Sequence, residues 1–98
     1  MPHYVAIIEE GGTAHATGIW FPDIPGCFSA GDTLDEAMAN APEALRLHLD
    51  ALIADGQQAP PARSLSELKA DPAFAEDVSN HMIALISAPA LSFRPAAE

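Results

Sequence analysis

The 98-residue chain reads as one α+β domain: a three-stranded antiparallel sheet, one main helix packed on it, and a further C-terminal strand. Three observations predict this. Short β-branched and aromatic runs, punctuated by Gly and Pro, fill the first third. A capped apolar periodicity of helical spacing follows, from Leu34 to Leu52. A last apolar run, Met82 to Ile86, is of strand length.

Tyr4 to Glu9 reads Tyr-Val-Ala-Ile-Ile-Glu, the composition of a strand. Gly11-Gly12 marks a turn, and Ala16 to Phe21 reads as a second strand, so the pair suggests a β-hairpin. On that strand Ile19 and Phe21 share one face and Trp20 takes the other. Pro22 ends the strand because it has no N–H for the ladder. Pro25-Gly26 forms a turn, and Phe28 to Ala30 is a third short strand, with Cys27 packing at its start.

Thr33-Leu34-Asp35-Glu36 is a capping box, and its two carboxylates sit at the positive end of the helix dipole. Leu34, Met38, Ala41, Leu45, Leu49 and Leu52 form one apolar face, and Asp55-Gly56 supplies the stop. Pro42 conflicts with a straight helix, at a cost of about 3 kcal/mol. The in-phase apolar face favours a kink there over a break with Asn40 capping a second helix. Gln57 to Arg63, with Pro60-Pro61, is an extended linker. Ser64-Leu65-Ser66-Glu67 caps a short helix to about Ala70, and Asp71-Pro72 starts another turn of helix through about Asp77. Residues 1–88 are thus the domain, and residues 89–98, bracketed by Pro89 and Pro95, are an extended tail.

Composition narrows the function. Four basic residues face fourteen acidic ones, for a net charge of −10 and a pI near 4.5. Such a chain is not expected to bind nucleic acid directly, because phosphate neutralisation needs clustered Lys and Arg. Acidity suits a basic partner, and it also serves solubility alone. One cysteine excludes an internal disulfide, and no leader or membrane-spanning run is present, so the chain reads as cytoplasmic.

Asp23, Asp32, Asp35 and Glu36 are the candidate metal carboxylates, but helix capping and turn formation account for them. His3, His15, His48 and His81 lack ligand spacing, and Cys27 lacks a partnered base. No catalytic, metal-ligating or cofactor-binding residue is assigned. Trp20 is either an interface anchor on an uncovered sheet face or a residue covered by the segment from Phe74 to Leu91.

The ordered pieces Tyr-Val-Ala-Ile-Ile-Glu, Phe21-Pro22-Asp23-Ile24-Pro25-Gly26-Cys27, Gly31-Asp32-Thr33-Leu34-Asp35-Glu36-Ala37, Asn40-Ala41 and Glu43-Ala44-Leu45 resemble the HicB-type antitoxins. The resemblance spans roughly residues 4–55. It implies a partial ribonuclease-H-like domain without enzymatic activity. It implies a partner as well: a small basic HicA-type toxin that cleaves mRNA, whose RNA-binding and catalytic surface the antitoxin covers. It further implies a homodimer or homotetramer. Many members carry a C-terminal DNA-binding module. Residues 87–98 are too short for one, which leaves a stand-alone domain or a sequence that stops before the module. Trp20 and Asp23 are the partner-binding candidates. A self-associating interaction module without a toxin is the alternative, followed by a metal-dependent nuclease of ribonuclease-H type.

Overall fold

The computed structural model describes residues 3–10 and 16–87. Strands β1 (His3–Glu9), β2 (Thr17–Trp20), β3 (Phe28–Gly31) and β4 (Met82–Ser87) form one antiparallel sheet in the order β3-β2-β1-β4. The C-terminal strand thus joins the expected meander alongside β1, and the sheet has four strands. The Gly11-Gly12 turn, His15 and the tail from residue 89 lie outside the described residues.

Helix α1 (Leu34–Ala54) covers one face of the sheet. Helices α2 (Leu65–Ala70) and α3 (Ala75–Asn80) cover the other. This sandwich explains why β1 reads as an unbroken apolar run. Tyr4, Ala6 and Ile8 lie in the core under α1, while Val5 and Ile7 pack against Leu68 and Val78. A strand buried on both faces has no polar side to alternate with.

Helix α1 is continuous through Pro42, so the alternative of a break does not hold. Asn40 does not cap a second helix. Its Nδ2 instead donates to the Ala30 carbonyl at 3.0 Å. Ala41, Leu45 and Leu49 are fully buried just beside Pro42 and beyond it. Burying one leucine is worth about 1.5–3 kcal/mol, so keeping the face in phase outweighs the lost hydrogen bond.

Two local expectations change in detail. Thr33 Oγ1 accepts from the Glu36 amide at 3.1 Å, but the Glu36 carboxylate takes the Asp32 amide at 2.7 Å rather than that of Thr33. Ser64 and Glu67 form the complete reciprocal box. Helix α3 starts at Ala75 and runs to Asn80, later than Asp71-Pro72 suggested. The Asp71 carboxylate takes the Ala73 amide at 2.9 Å, and the Asp71 carbonyl takes those of Phe74 and Ala75. Residues 71–74 therefore form a side-chain-closed turn, which competes with helix at Asp.

The linker from Gln57 to Arg63 carries the chain from one face of the sheet to the other. It is pinned twice. The Tyr4 hydroxyl donates to the Pro60 carbonyl at 2.6 Å, and Asp23 holds Arg63. Burial raises the Tyr4 pKa, and the nearby Asp23 charge adds to this, so the hydroxyl stays a donor at neutral pH.

Candidate partner-binding site

The segment joining β2 to β3 is built from two consecutive tight turns. The Ile24 amide donates to the Phe21 carbonyl and the Cys27 amide to the Ile24 carbonyl, both at 3.1 Å. A proline follows the first residue of each turn, at the position where its fixed φ is already correct. In the second turn Gly26 has φ +86°, the left-handed region that residues with a Cβ avoid. The geometry sends Phe21, Ile24 and Cys27 into the core beneath α1. The Cys27 thiol lies 3.8 Å from the Ala44 carbonyl, and burial pushes its pKa up to about 11. That describes a packed apolar residue, not a reactive thiol.

Asp23 lies in the first turn. Its side chain is only 5% exposed. It accepts from the Arg63 backbone amide and from Arg63 Nε, both at 2.7 Å. Arg63 also donates to Asp71 at 2.9 Å, and its guanidinium lies 5.4 Å from the centroid of the Phe74 ring. Hydrogen bonds donated to Asp23 and then to Asp71 hold the Arg63 pKa above its usual value. The Ala73 amide and then Arg63 hold the Asp71 carboxyl below the usual carboxylate range.

Phe74 in turn meets Trp20, with ring centroids 6.4 Å apart and planes tilted by 45°. The Trp20 indole N–H donates to Glu9 at 2.9 Å. Trp20 is therefore half-buried, packed beside Phe74 rather than standing on a bare sheet face. Its cross-strand partner is Phe28, which is 69% exposed. Trp20, Pro22, Pro25, Phe28 and Phe74 line a cleft of about 200 Å³. A shallower hollow continues past Phe28 to Leu47 and His48 on α1. Leu47 is also exposed, and Arg46 beside it bridges Glu43 and Asp50.

The structure thus brings the two sequence candidates into one cluster, with different places in it. Trp20 lines the surface cleft. Asp23 lies beneath, clamping Arg63 and through it Phe74. Sequence reasoning missed Arg63, Phe28 and Leu47, and it named Phe74 only as the start of the segment that covers Trp20 in one of two alternatives. An arginine directly before a capping box was the only local sign of the first. His48 edges the hollow, and His81 lies 3.9 Å from Glu9. Among the described residues, no three His, Cys, Asp or Glu side chains are grouped so as to hold a metal ion. No helix among them is long and apolar enough to cross a membrane.

A four-stranded sheet with helices on both faces, joined through a double turn beside an aromatic cleft, defines an α+β domain. The profile of the HicB_like antitoxin of bacterial toxin-antitoxin systems matches residues 4–93, and the chain belongs to that family. It is similar to an uncharacterised 14.9 kDa protein of Haemophilus phage HP1, 37% identical over 71 residues. That match takes in 72% of this chain and 52% of the phage protein, so the chain spans about half the length of that relative. Its fold is similar to the Burkholderia pseudomallei antitoxin HicB, with a TM-score of 0.76 and 29% identity, covering 100% of this chain and 73% of that one. It is also similar to a chain of a HicA3 and HicB3 toxin-antitoxin complex, with a TM-score of 0.68 and 28% identity over 90% of this chain and 99% of that one.

Proposed function

We propose that this chain is a non-catalytic antitoxin that neutralises a small basic HicA-type toxin by covering the toxin's RNA-binding and catalytic surface. The observation that carries this reading is an exposed aromatic cleft on a strongly acidic chain. Net charge is −10, and two of the chain's four basic residues, Arg46 and Arg63, are each engaged by two carboxylates. A surface that must bind RNA phosphates is basic, so it meets this chain with opposite charge, which speeds encounter and sets orientation. Trp20 and Phe28 supply the apolar anchors, since aromatic residues in pockets carry most interface energy. Asp23 acts by position: it holds Arg63, which holds Phe74 against Trp20. The ribonuclease-H-like description implied by the resemblance concerns scaffold only, because chemistry resides in sites and not in folds.

The test is co-expression with a basic HicA-type toxin, followed by co-purification and an RNA-cleavage assay. A stable complex and suppressed cleavage are expected. Unimpeded cleavage with no complex would reject the reading in favour of an interaction module that has no toxin.

A further inference from the structure

We propose that Glu9 is a positioning residue for the aromatic cleft: its carboxylate fixes the Trp20 indole in the orientation that a partner meets. The effect on binding rests on the antitoxin reading, whereas the hold on Trp20 does not. Trp20 is the last residue of β2 and stands opposite Ile7 of β1. Glu9 is two residues beyond Ile7, so its side chain leaves the sheet on the same face. Its direct opposite on β2 is Gly18, which has no side chain to meet it. The carboxylate instead reaches the diagonal neighbour, Trp20, and accepts the indole N–H at 2.9 Å.

Helix α3 bears on Trp20 from both of its ends. Phe74, its N-cap, packs against the indole with centroids 6.4 Å apart. His81, its C-cap, lies 3.9 Å from Glu9 Oε2, the same oxygen that takes the indole N–H. His81 Nδ1 is 2.9 Å from the Asp77 carbonyl, which ties that imidazole back to α3. The two holds do different things. A ring packed on one side still has two broad positions about its Cβ–Cγ bond, and a hydrogen bond at Nε1 selects one of them. The Glu9 side chain is 54% exposed, so water replaces the carboxylate readily and the bond adds little to folding stability. What it adds is order. A side chain oriented before binding does not lose that freedom on binding. Charge is not what distinguishes Glu9, which is one of fourteen acidic residues. Its distinction is where its acceptor oxygen sits.

Trp20 is the only tryptophan, so the chain gives a single indole N–H peak in a proton–nitrogen correlation spectrum. The heteronuclear NOE of that peak reports picosecond-to-nanosecond motion of the ring. It is measured on the isolated wild type, Glu9→Ala and Glu9→Gln, and each form is then titrated with a basic HicA-type toxin. Glutamine keeps an acceptor oxygen and drops the charge. Glu9→Ala is expected to lower the NOE with Tm unchanged. It is also expected to bind the toxin about two- to tenfold more weakly, the range for ordering one side chain. Glu9→Gln is expected to stay close to wild type in both. An NOE in Glu9→Ala equal to that of wild type overturns the proposal, because Trp20 is then held without Glu9. Glu9→Gln binding as weakly as Glu9→Ala also overturns it, and makes Glu9 one more charge on an acidic chain. A wild type that binds no toxin defeats the antitoxin reading instead, and the NOE comparison then decides the hold on Trp20 by itself.

Discussion

The β3 and β4 edges belong to one sheet and have the same kind of backbone, yet one is closed by side chains and the other is open. At β3 the closing contacts come from α1: Asn40 on Ala30, the Ser29 hydroxyl donating to the Ala37 carbonyl at 3.1 Å, and the tight approach at Gly31. The double turn that leads into β3 then presents Trp20 and Phe28 beside this closed edge. At β4 nothing comparable appears among the described residues. The contrast teaches that a side-chain cleft beside a sheet edge comes with rigid support, which α1 and the double turn supply at β3.

Four changes test that contrast, in order of expected size. Leu45→Ala removes a fully buried side chain where α1 grips the sheet, and should cost about 2–5 kcal/mol. Thermal or urea unfolding would show it, and a loss below 1 kcal/mol would mean that α1 does not hold the β3 side. Gly31→Ala places a Cβ against Glu36 and the Ala37 backbone. Overpacking of this kind costs about 1–3 kcal/mol, read as a fall in Tm, and an unchanged Tm would deny the close approach. Asn40→Ala deletes one hydrogen bond, worth about 0.5–1.5 kcal/mol. A series of melts would show it, and an unchanged stability would mean that Asn40 does not brace the β3 edge.

The smallest effect is at alkaline pH. The Cys27 pKa is higher folded than unfolded, so the folded state resists losing that proton. Stability should therefore hold below about pH 9 and decline as pH rises toward about 11. Tyr4, also raised by burial, contributes in the same direction at higher pH. Cys27→Ala should remove the earlier part of the decline in a series of melts, and an identical pH profile in this variant would show that the thiol plays no part.

Much of the fold was legible because it is local. Pro25-Gly26, Thr33 with Glu36, the apolar spacing from Leu34 to Leu52 and Asp55-Gly56 each act on residues a few positions away. The Gly56 φ of +85° matches its expected stop position. What the sequence hid was long-range. Asp23 looked like a turn residue or a partner contact, and its partner Arg63 lies 40 residues on. Ion pairs at that separation leave no periodicity to read. The covering of Trp20 by Phe74 was one of two open alternatives, because α2 and α3 are too short for periodicity to reveal which face they bury. Asn40 illustrates the same limit from the other side. A residue that could cap a broken helix instead guards a strand, and only packing decides between the two.

The most direct measurement of the central claim is a calorimetric titration of the basic toxin into three forms of the chain at low and high salt. The account predicts that wild type and Leu85→Lys bind alike, that affinity falls as salt rises, and that the Trp20→Ala, Phe28→Ala double variant binds at least tenfold more weakly, about 1.4 kcal/mol. Full binding by the double variant together with loss of binding by Leu85→Lys would contradict it, and would move the toxin from the aromatic cleft to the open edge of β4.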